Sequence, residues 1–551
     1  MYSSKSIKLY FFSIFKLFFI NFRNIYFKSS FYNKKLISSI PDRIFYNPST
    51  YLSASLTTMN NDFYNVVETS SELLWKKNSI NKLEFENLHN FLWLAKLDRK
   101  NTKSITKKII NDWIDNFFNY SPDVWKMEVI AKRIIAWSSN TDLTLENSSK
   151  NYKEKFFLSS IKQSNFLLKN FNSLQNETDK IICCAAIILS GIMFGEKYIN
   201  YKVGIKELEK IIKNYFDETG FPKSRNPEEV FICLKYLILI REWFKEAQKI
   251  IPDFLNEIII KCGNCYKVLS CENKQFPLFN GATEINHKEY DIFLKNLKYK
   301  FTDKNNEVAG LVKIKKKKFE FFIDFGNPPP NNYAKSYQAG CLAFELTSNK
   351  QKIICNSGYG KYLQPKFARL SRSTAAHSTL YINDTSSCIF QKNKFIRKIY
   401  GNTLIERHKI LNKKYSEDKN FYTLIASHNG YEKKFGYIHT RSIVIPKNEE
   451  KIFGEDKLIK TKKYSNSLWY TIRFHIYPNI KIVKTKAGNS ILISLPNGEG
   501  WVLKSETNNL DIEKSIFFGN KNKILNNESI SIYGDILEDA ISIKWEIAKV
   551  S

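Results

Sequence analysis

One histidine in a run of small residues, His377 within Arg372-Ser-Thr-Ala-Ala-His377-Ser-Thr-Leu380, is the side chain best suited to move a proton. Imidazole titrates near neutrality, so in an open site it would act as acid or base. In a tight turn between strands it would instead be a buried ring satisfied by backbone groups. Arg372 offers a planar fork that either grips a carboxylate through two parallel bonds or pairs with an acid inside a sheet. A second cluster, Arg225-Asn226-Pro227-Glu228-Glu229, has the form of a helix start: Asn226 accepts the first free amide hydrogens and Pro227 sits in the first turn. The positive end of that helix, together with Arg225, would attract an anion, although capping alone also accounts for Asn226. Glu229 is either a general base or an acid that complements the helix dipole. Cys262-Gly-Asn-Cys265 is a lone CxxC with no second pair at zinc-ribbon spacing, so helix packing accounts for it.

The elements that must hold these residues fall into two halves. From about 75 to 271 apolar residues recur at helical spacing. Leu88, Phe91, Leu92 and Leu94-Ala95 form one face; Ile109, Ile110, Trp113, Ile114 and Phe117 a second; Ile130, Ile134, Ile135 and Trp137 a third. Asn176-Glu-Thr-Asp179 is a polar entry to the apolar run Ile181–Phe194, which predicts a buried helix, and the helix opened by Asn226 extends through Trp243. Ordinary helices joined by short polar turns predict stacked helical hairpins in an arc or toroid. Near residue 300 the period changes to two. Val312-Lys-Ile-Lys, Phe319–Asp324, Leu342–Leu346, Lys352–Cys355 and later Ser442–Ile445, Ile480–Val483, Ser490–Ser494, Ile512–Phe518 and Ile541–Trp545 read as strands with no helical pattern between them. Antiparallel sheets packed as a sandwich follow, and Lys315–Lys318 reads as a solvated edge or turn. The expected division is a basic, apolar segment and linker over 1–55, a helical domain over 56–300 and a β-sandwich over 301–551.

Composition narrows the partners. A chain of 551 residues exceeds one ordinary core, and 43% hydrophobic with 25% charged residues is typical of a globular protein. The 85 Lys+Arg against 54 Asp+Glu give a formal charge of +31, which favours anionic partners; the Lys-, Asn- and Ile-rich bias of an AT-rich genome also produces such a balance. Nucleic acid is not expected, because no zinc-finger spacing, RNA-binding signature or arginine-rich face is present. The nine cysteines are scattered rather than arranged as a disulfide framework. Residues 5–30 are basic and apolar but interrupted by Lys16, too broken to span a bilayer. They predict an interfacial helix or an export signal, with peripheral membrane contact, and the first 40 or so residues are expected to lie outside both cores.

Several stretches together resemble the heparinase II/III-like family. These are Cys341-Leu-Ala-Phe-Glu-Leu346, Ile353-Ile-Cys-Asn-Ser-Gly358, above all Arg372–Leu380, then Ser427–Tyr431, His439-Thr-Arg441, Gly454-Glu-Asp456, Arg473-Phe-His475 and Leu495–Glu499. In the helical half Leu88-His89, Trp93-Leu94, Gly220 to Pro227 and Leu278–Glu284 also match, so the likeness spans roughly residues 85–545 and its spacing is similar to the proteobacterial branch. The resemblance implies an α/α toroid followed by an antiparallel β-sandwich, and lyase action on uronate-containing polysaccharide by β-elimination. That chemistry neutralises the uronate carboxylate, removes the C5 proton and protonates the leaving oxygen. On this reading Arg225 and Arg372 meet the carboxylate, and His377 or Tyr337 takes the proton, with Asn226 and Glu229 at the same site. The sequence departs from the family where chemistry would be done. The His-x-His motif reads Ser336-Tyr337-Gln338, the expected Asp is Asn356, the helical-domain Tyr is Glu229, and an Asn is replaced near Cys183. Of three implied metal ligands only His377 remains, beside Gln338 and Asn356, and without a carboxylate a divalent ion should bind weakly or not at all; no cofactor is expected. His428, His439 and His475 read as structural. Two functions stay open: a lyase for acidic, glycosaminoglycan-like polysaccharide, or a non-catalytic glycan-binding or assembly protein with a degenerate site. The expected location is the cell envelope, in the periplasm, with the cytoplasm as alternative.

Overall fold

The computed structural model describes residues 4–37, 39–57, 75, 81–462, 464, 467–507 and 509–550. The chain forms two compact units. One comprises Met1–Phe216, Phe231–Cys262 and Ile292–Tyr299; the other comprises Asp217–Val230, Gly263–Asp291 and Lys300–Ser551.

The first unit is helical, and its helices start and stop for local reasons. Glu177–Phe194 is opened by Asn176, whose side chain accepts from Thr178 N (3.0 Å), and every residue from Ile181 to Phe194 is buried. Each fully buried aliphatic side chain contributes about 1.5–3 kcal/mol, which is what holds so apolar a helix inside. The face expected over Leu88–Ala95 is instead split. Helix Lys82–Asn90 ends at Phe91, which turns left-handed (φ 59°), and Leu92–Lys96 continues as a tighter 3-10 turn. Asn90 causes the break: its side-chain oxygen accepts from Leu92 N (2.9 Å), while Trp93 Nε1 donates to the freed carbonyl of Leu88 (3.1 Å). Phe91 still reaches the core, edge-on to Trp113 and Trp137.

The N-terminal segment corrects a second expectation. Helices Ser4–Lys28 and Ser30–Leu36 are present, and the end of the first together with the second belongs to the helical core. Phe27 and Tyr32 pack on Phe166, Asn170 donates to the Tyr32 hydroxyl (2.6 Å), Asn165 donates to Leu36 O (2.9 Å), and Tyr120 donates to Asn24 (3.0 Å). Deleting residues 1–22 should therefore leave the thermal midpoint unchanged. Deleting 1–40 should lower it by several degrees, because three buried apolar side chains, Phe27, Tyr32 and Leu36, are lost at about 1.5–3 kcal/mol each. Circular dichroism melts of the two truncations check this, and equal midpoints would place the whole segment outside the core after all.

The second unit is a sandwich of two antiparallel sheets. One runs Glu307–Val308, Leu311–Lys316, Phe319–Asp324, Phe344–Ser348, Gln351–Cys355, Trp469–Ile476, Leu525–Asp535 and Leu510–Phe517, with Leu380–Ile382 also pairing on Trp469–Ile476. The other runs Lys481–Lys484, Ser490–Ser494, Gly500–Ser505, Ala540–Lys549, Lys451–Lys460, Tyr437–Pro446, Phe421–Tyr431 and Ile410–Glu417. Their inner faces share one core containing Phe321, Phe344, Phe474, Trp501 and Trp545. Lys317 and Lys318 form the hairpin turn after Leu311–Lys316. Two details differ from the sequence pattern. The strand expected from Leu342 starts at Phe344, because Leu342 itself is left-handed (φ 59°). Short helices interrupt the strands at Pro365–Leu370, Lys394–Tyr400 and Glu432–Phe435. Such helices are shorter than the window over which a helical period shows. Lys394–Tyr400 is set by its ends, with Asn393 accepting from Phe395 N and Ile396 N and Gly401 stopping it at φ 76°.

Candidate functional site

The centre of the candidate site is a carboxylate that the sequence reading passed over. Strand Phe319–Asp324 is buried along its whole length, and its last residue, Asp324, gathers three loops. It accepts from Gly326 N (2.9 Å) and Asn280 Nδ2 (3.2 Å) and forms an ion pair with Arg225. The remaining Arg225 donors go to Ala309 O (2.7 Å) and Asn327 O (3.1 Å). Burial opposes the charge on Arg225, yet Asp324 more than compensates and raises its pKa. A side chain at position 326 would stand 1.9 Å from the guanidinium, so glycine is required there. Arg225 also adopts a left-handed backbone (φ 61°), conformational strain that this ion pair sustains. Every arm of Arg225 is thus bonded within the protein.

Around it the helix start behaves as its residues suggest. Asn226 accepts from Glu228 N (2.9 Å) and is buried, so it caps; Glu229 accepts from the Ser224 hydroxyl (2.5 Å). Its neighbour Glu228, not singled out from the sequence, is 1% exposed and holds the more unusual position. It accepts from Thr283 N (3.2 Å) and Oγ1 (2.9 Å) and pairs with Lys361 (3.4 Å) and Lys521 (3.0 Å). Burial alone would raise its pKa, but Lys361, Lys521 and the Thr283 hydroxyl hold it down at about 2.

The residues expected to transfer protons or bind a metal are brought together but face inward. Gln338 accepts from Gly281 N (2.8 Å) and donates to Gly358 O (2.9 Å) and Ser371 O (2.5 Å). Asn356 accepts from Ser378 N (3.1 Å), and its own backbone N–H donates to Glu345 (2.9 Å). Arg372 pairs neither with a free surface nor with an acid: it donates to Tyr337 O (2.6 Å) and Ala334 O (3.0 Å) and stacks 4.0 Å over Phe390. Burial lowers its pKa to about 10, leaving it charged at neutral pH. Tyr337 is fully buried, and its hydroxyl bonds to none of the described residues. His377 lies against Gly340, where a side chain would collide with the ring at 2.5 Å. Its Nδ1–H donates to Ser373 O (2.8 Å), which fixes the tautomer and leaves a lone pair on Nε2 with no described partner. Burial pushes its pKa down to about 4, so the imidazole is neutral at pH 7.

A divalent ion fits this set poorly. Both amide groups of the would-be ligands already serve as backbone struts, so only the His377 Nε2 is free to donate, and no cluster of three His, Cys, Asp or Glu stands among the described residues. The exposed polar surface nearest to these loops is different in kind. Lys521 and Lys361 flank the Tyr362 ring, and Phe367, beside exposed Lys366 and Arg369, packs on Phe518. Cations and aromatic rings thus lie side by side along residues 361–369 and 518–521.

Comparison with known proteins agrees with this architecture. Residues 301–546 match the family model described as heparinase II/III-like, C-terminal. A search of solved structures finds heparinase III with a TM-score of 0.66 at 15% identity, covering 85% of this chain and 77% of that one. Heparan sulfate lyase HepC from Pedobacter heparinus matches with a TM-score of 0.59 at 12% identity, covering 95% and 87%. Among curated proteins, FtsZ-localized protein C of Caulobacter vibrioides is 22% identical over 450 residues, 78% of this chain and 76% of the relative. At such identities the structures establish the fold. Residues 301–546 of the sandwich unit are thus similar to the heparinase II/III-like C-terminal domain, in a chain with the heparinase III fold.

Proposed function

We propose that this protein binds an acidic polysaccharide on the cationic, aromatic face formed by Lys361, Tyr362, Lys366, Arg369 and Lys521, and that it does so without cleaving the chain. The observation that carries this reading is where the side chains are spent. Arg225 and Arg372, which would neutralise a uronate carboxylate, are consumed by Asp324 and by backbone carbonyls, whereas the exposed cations Lys366 and Arg369 are not, and lie near half-buried Lys361 and Lys521, which pair with Glu228. The net charge of +31 draws a polyanion toward the protein, and partly exposed rings beside lysines suit the apolar faces of sugars. A relative named for localisation with FtsZ rather than for an activity also supports a non-catalytic role. A location in the cell envelope, where acidic polysaccharide is met, belongs to the same proposal. Elimination is the second reading, favoured by one observation: the neutral His377 ring keeps a free Nε2 lone pair, and the Tyr337 hydroxyl is unpaired among the described residues.

A panel of uronate polymers separates the two. Binding to at least one polymer should weaken as salt rises, and Lys366→Glu with Arg369→Glu should weaken it at least tenfold with no change in thermal midpoint, since both side chains are exposed. Elimination breaks the C4–O bond, removes the C5 proton and leaves a C4–C5 double bond that absorbs in the ultraviolet. No such absorbance is expected. Its appearance with wild type and disappearance in His377→Ala would establish the lyase instead, and failure to bind any acidic glycan would remove both readings.

A further inference from the structure

The helix Ser4–Lys28 presents a face that the rest of the fold does not use. Its inner side, Ser13 and Phe27, is buried, and Asn24 is bonded to Tyr120. Its outer side carries Phe11, Phe15, Phe18, Phe22 and Ile25, which follow one another at helical spacing along one stripe, with Phe12 and Phe19 beside it. These side chains are strongly exposed: Phe15 is 70% exposed, Phe18 69% and Ile25 70%. From Phe11 to Ile25 the stripe runs roughly 21 Å at the rise of an α-helix. A contiguous aromatic surface of that length is not left to water without a partner.

The charges beside it identify the partner. Lys5, Lys8, Lys16, Arg23, Lys28, Lys34 and Lys35 fall within the first 41 residues, and no Asp or Glu occurs before Asp42. Helical geometry sets Lys16 and Arg23 along one flank of the aromatic stripe. Rings flanked by cations, with no acidic residue to repel phosphate, match the boundary between acyl chains and anionic headgroups. Among the described residues no helix is long and apolar enough to cross a bilayer, and the interrupting Lys16 and Arg23 accord with a helix lying in the plane of the surface. The helix is also tethered: Phe27 and the following Ser30–Leu36 helix dock on the helical unit, so a membrane contact made by the stripe would be transmitted to a folded body. A protein partner with an acidic rim would match the charges, but not an uninterrupted row of large rings lacking polar groups to bond across it.

We infer that this helix is an interfacial anchor whose Phe11–Ile25 face inserts into an anionic phospholipid surface. The inference is independent of glycan binding, which involves the other unit. Sedimentation of the full chain with phosphatidylglycerol-containing vesicles tests it, alongside pure phosphatidylcholine vesicles. The wild type should sediment at least tenfold more with the anionic vesicles at low salt. Phe15→Gln, Phe18→Gln and Phe22→Gln together, which leave the charge unchanged, should reduce that fraction at least tenfold without moving the thermal midpoint. Equal binding by the triple variant would overturn the inference, since attraction to the cationic protein as a whole would then suffice. Absence of wild-type sedimentation would also overturn it. So would a lipid-free dimer that the variant dissociates while neither form binds vesicles, because a second copy would then be what covers the face.

Discussion

Lowering the pH from 7.5 to 5 will unfold the sandwich unit while the helical unit keeps its structure. The cause is a set of histidines held neutral by burial. Their pKa values are driven down to about 3 at His89, His408 and His475 and about 4 at His377, and His428 falls well below its ordinary value. Three of the rings are also committed by a bond that a second proton would break or reverse. His89 Nδ1 accepts from Trp113 (3.1 Å), His428 Nδ1 accepts from Gly430 N (3.0 Å), and His475, whose Nε2 faces Ala375 O, has its Nδ1 turned to Ser515 (3.0 Å). A depressed pKa in the folded state means the unfolded chain binds more protons, so this stability is fully present above about pH 6.5 and is lost as the pH falls toward 4–3. One unit below 6.5 each ring costs about 1.4 kcal/mol, and the slope continues at that value per unit. Four of the five lie in the sandwich unit, which therefore loses on the order of 6 kcal/mol by pH 5.5, against a total of about 5–15 kcal/mol for a typical domain. His89 alone acts on the helical unit. Far-ultraviolet circular dichroism with urea titrations at pH 7.5, 6.5, 5.5 and 5 should show a sandwich transition that moves to lower urea while the helical one shifts little. A pH-independent sandwich transition would mean that water or a carboxylate reaches these rings in the folded protein.

How much of this was legible depends on how far apart in the chain the cooperating residues lie. The change of period near residue 300 revealed two architectures, because each helix and strand is set by neighbours within a few positions. Asn226 read correctly as a cap, and Asn176–Asp179 as a polar helix entry, for the same reason. Arg225 did not read correctly, since its partner Asp324 stands ninety-nine residues away and the backbone carbonyls it grips cannot be seen in a sequence. A usable signal existed: an aspartate ending a strand rich in Phe and Ile is seldom buried without a cation. The N-terminal segment shows the same limit. Its composition pointed to an interface, but the docking of Phe27 and Tyr32 rests on Phe166 and Asn170.

The family stretches were legible as stretches while their roles were not, and the structure supplies the reason. Gly281, Gln338, Asn356 and Arg372 hold loops together through backbone groups, so fold alone gives them work. A recognisable motif therefore persists in this chain where the proton-transfer groups are changed or enclosed, as Ser336-Tyr337-Gln338 illustrates. Motif likeness carried the fold faithfully, because the residues that make up the motifs also hold the loops together; fold and function are separable readings of the same stretch.

The stretch His439-Thr-Arg441 with Asp456 marks the point where that scaffold is most vulnerable. Arg441 donates from Nε (2.8 Å) and Nη2 (2.9 Å) to the two oxygens of Asp456, and from Nη1 to Leu342 O (2.9 Å) and Ser378 O (2.8 Å). His439 Nε2 (2.6 Å) and Trp545 Nε1 (2.8 Å) complete the carboxylate, and Arg441, Asp456 and His439 are all wholly buried. The chain of donors extends inward, for Gly430 N bonds to His428 Nδ1, so His428 Nε2–H donates to His439 Nδ1 (3.1 Å) and His439 in turn to Asp456. Asp456→Asn preserves the volume but removes the charge, leaving the Arg441 guanidinium buried without a counter-ion and an amide NH₂ facing one of the donors. Breaking one partner of such a pair costs about 3–5 kcal/mol. The variant should lose that much from the sandwich transition in urea and nothing from the helical one. Arg441→Leu should be comparably damaging, because it leaves the Asp456 charge alone. The double variant Arg441→Leu with Asp456→Leu should be less destabilised than the sum of the two single changes by at least 2 kcal/mol, since neither charge is then stranded. Strict additivity would mean the two groups are satisfied separately, by water or by the backbone, and that the left-handed turn at Leu342 does not depend on them.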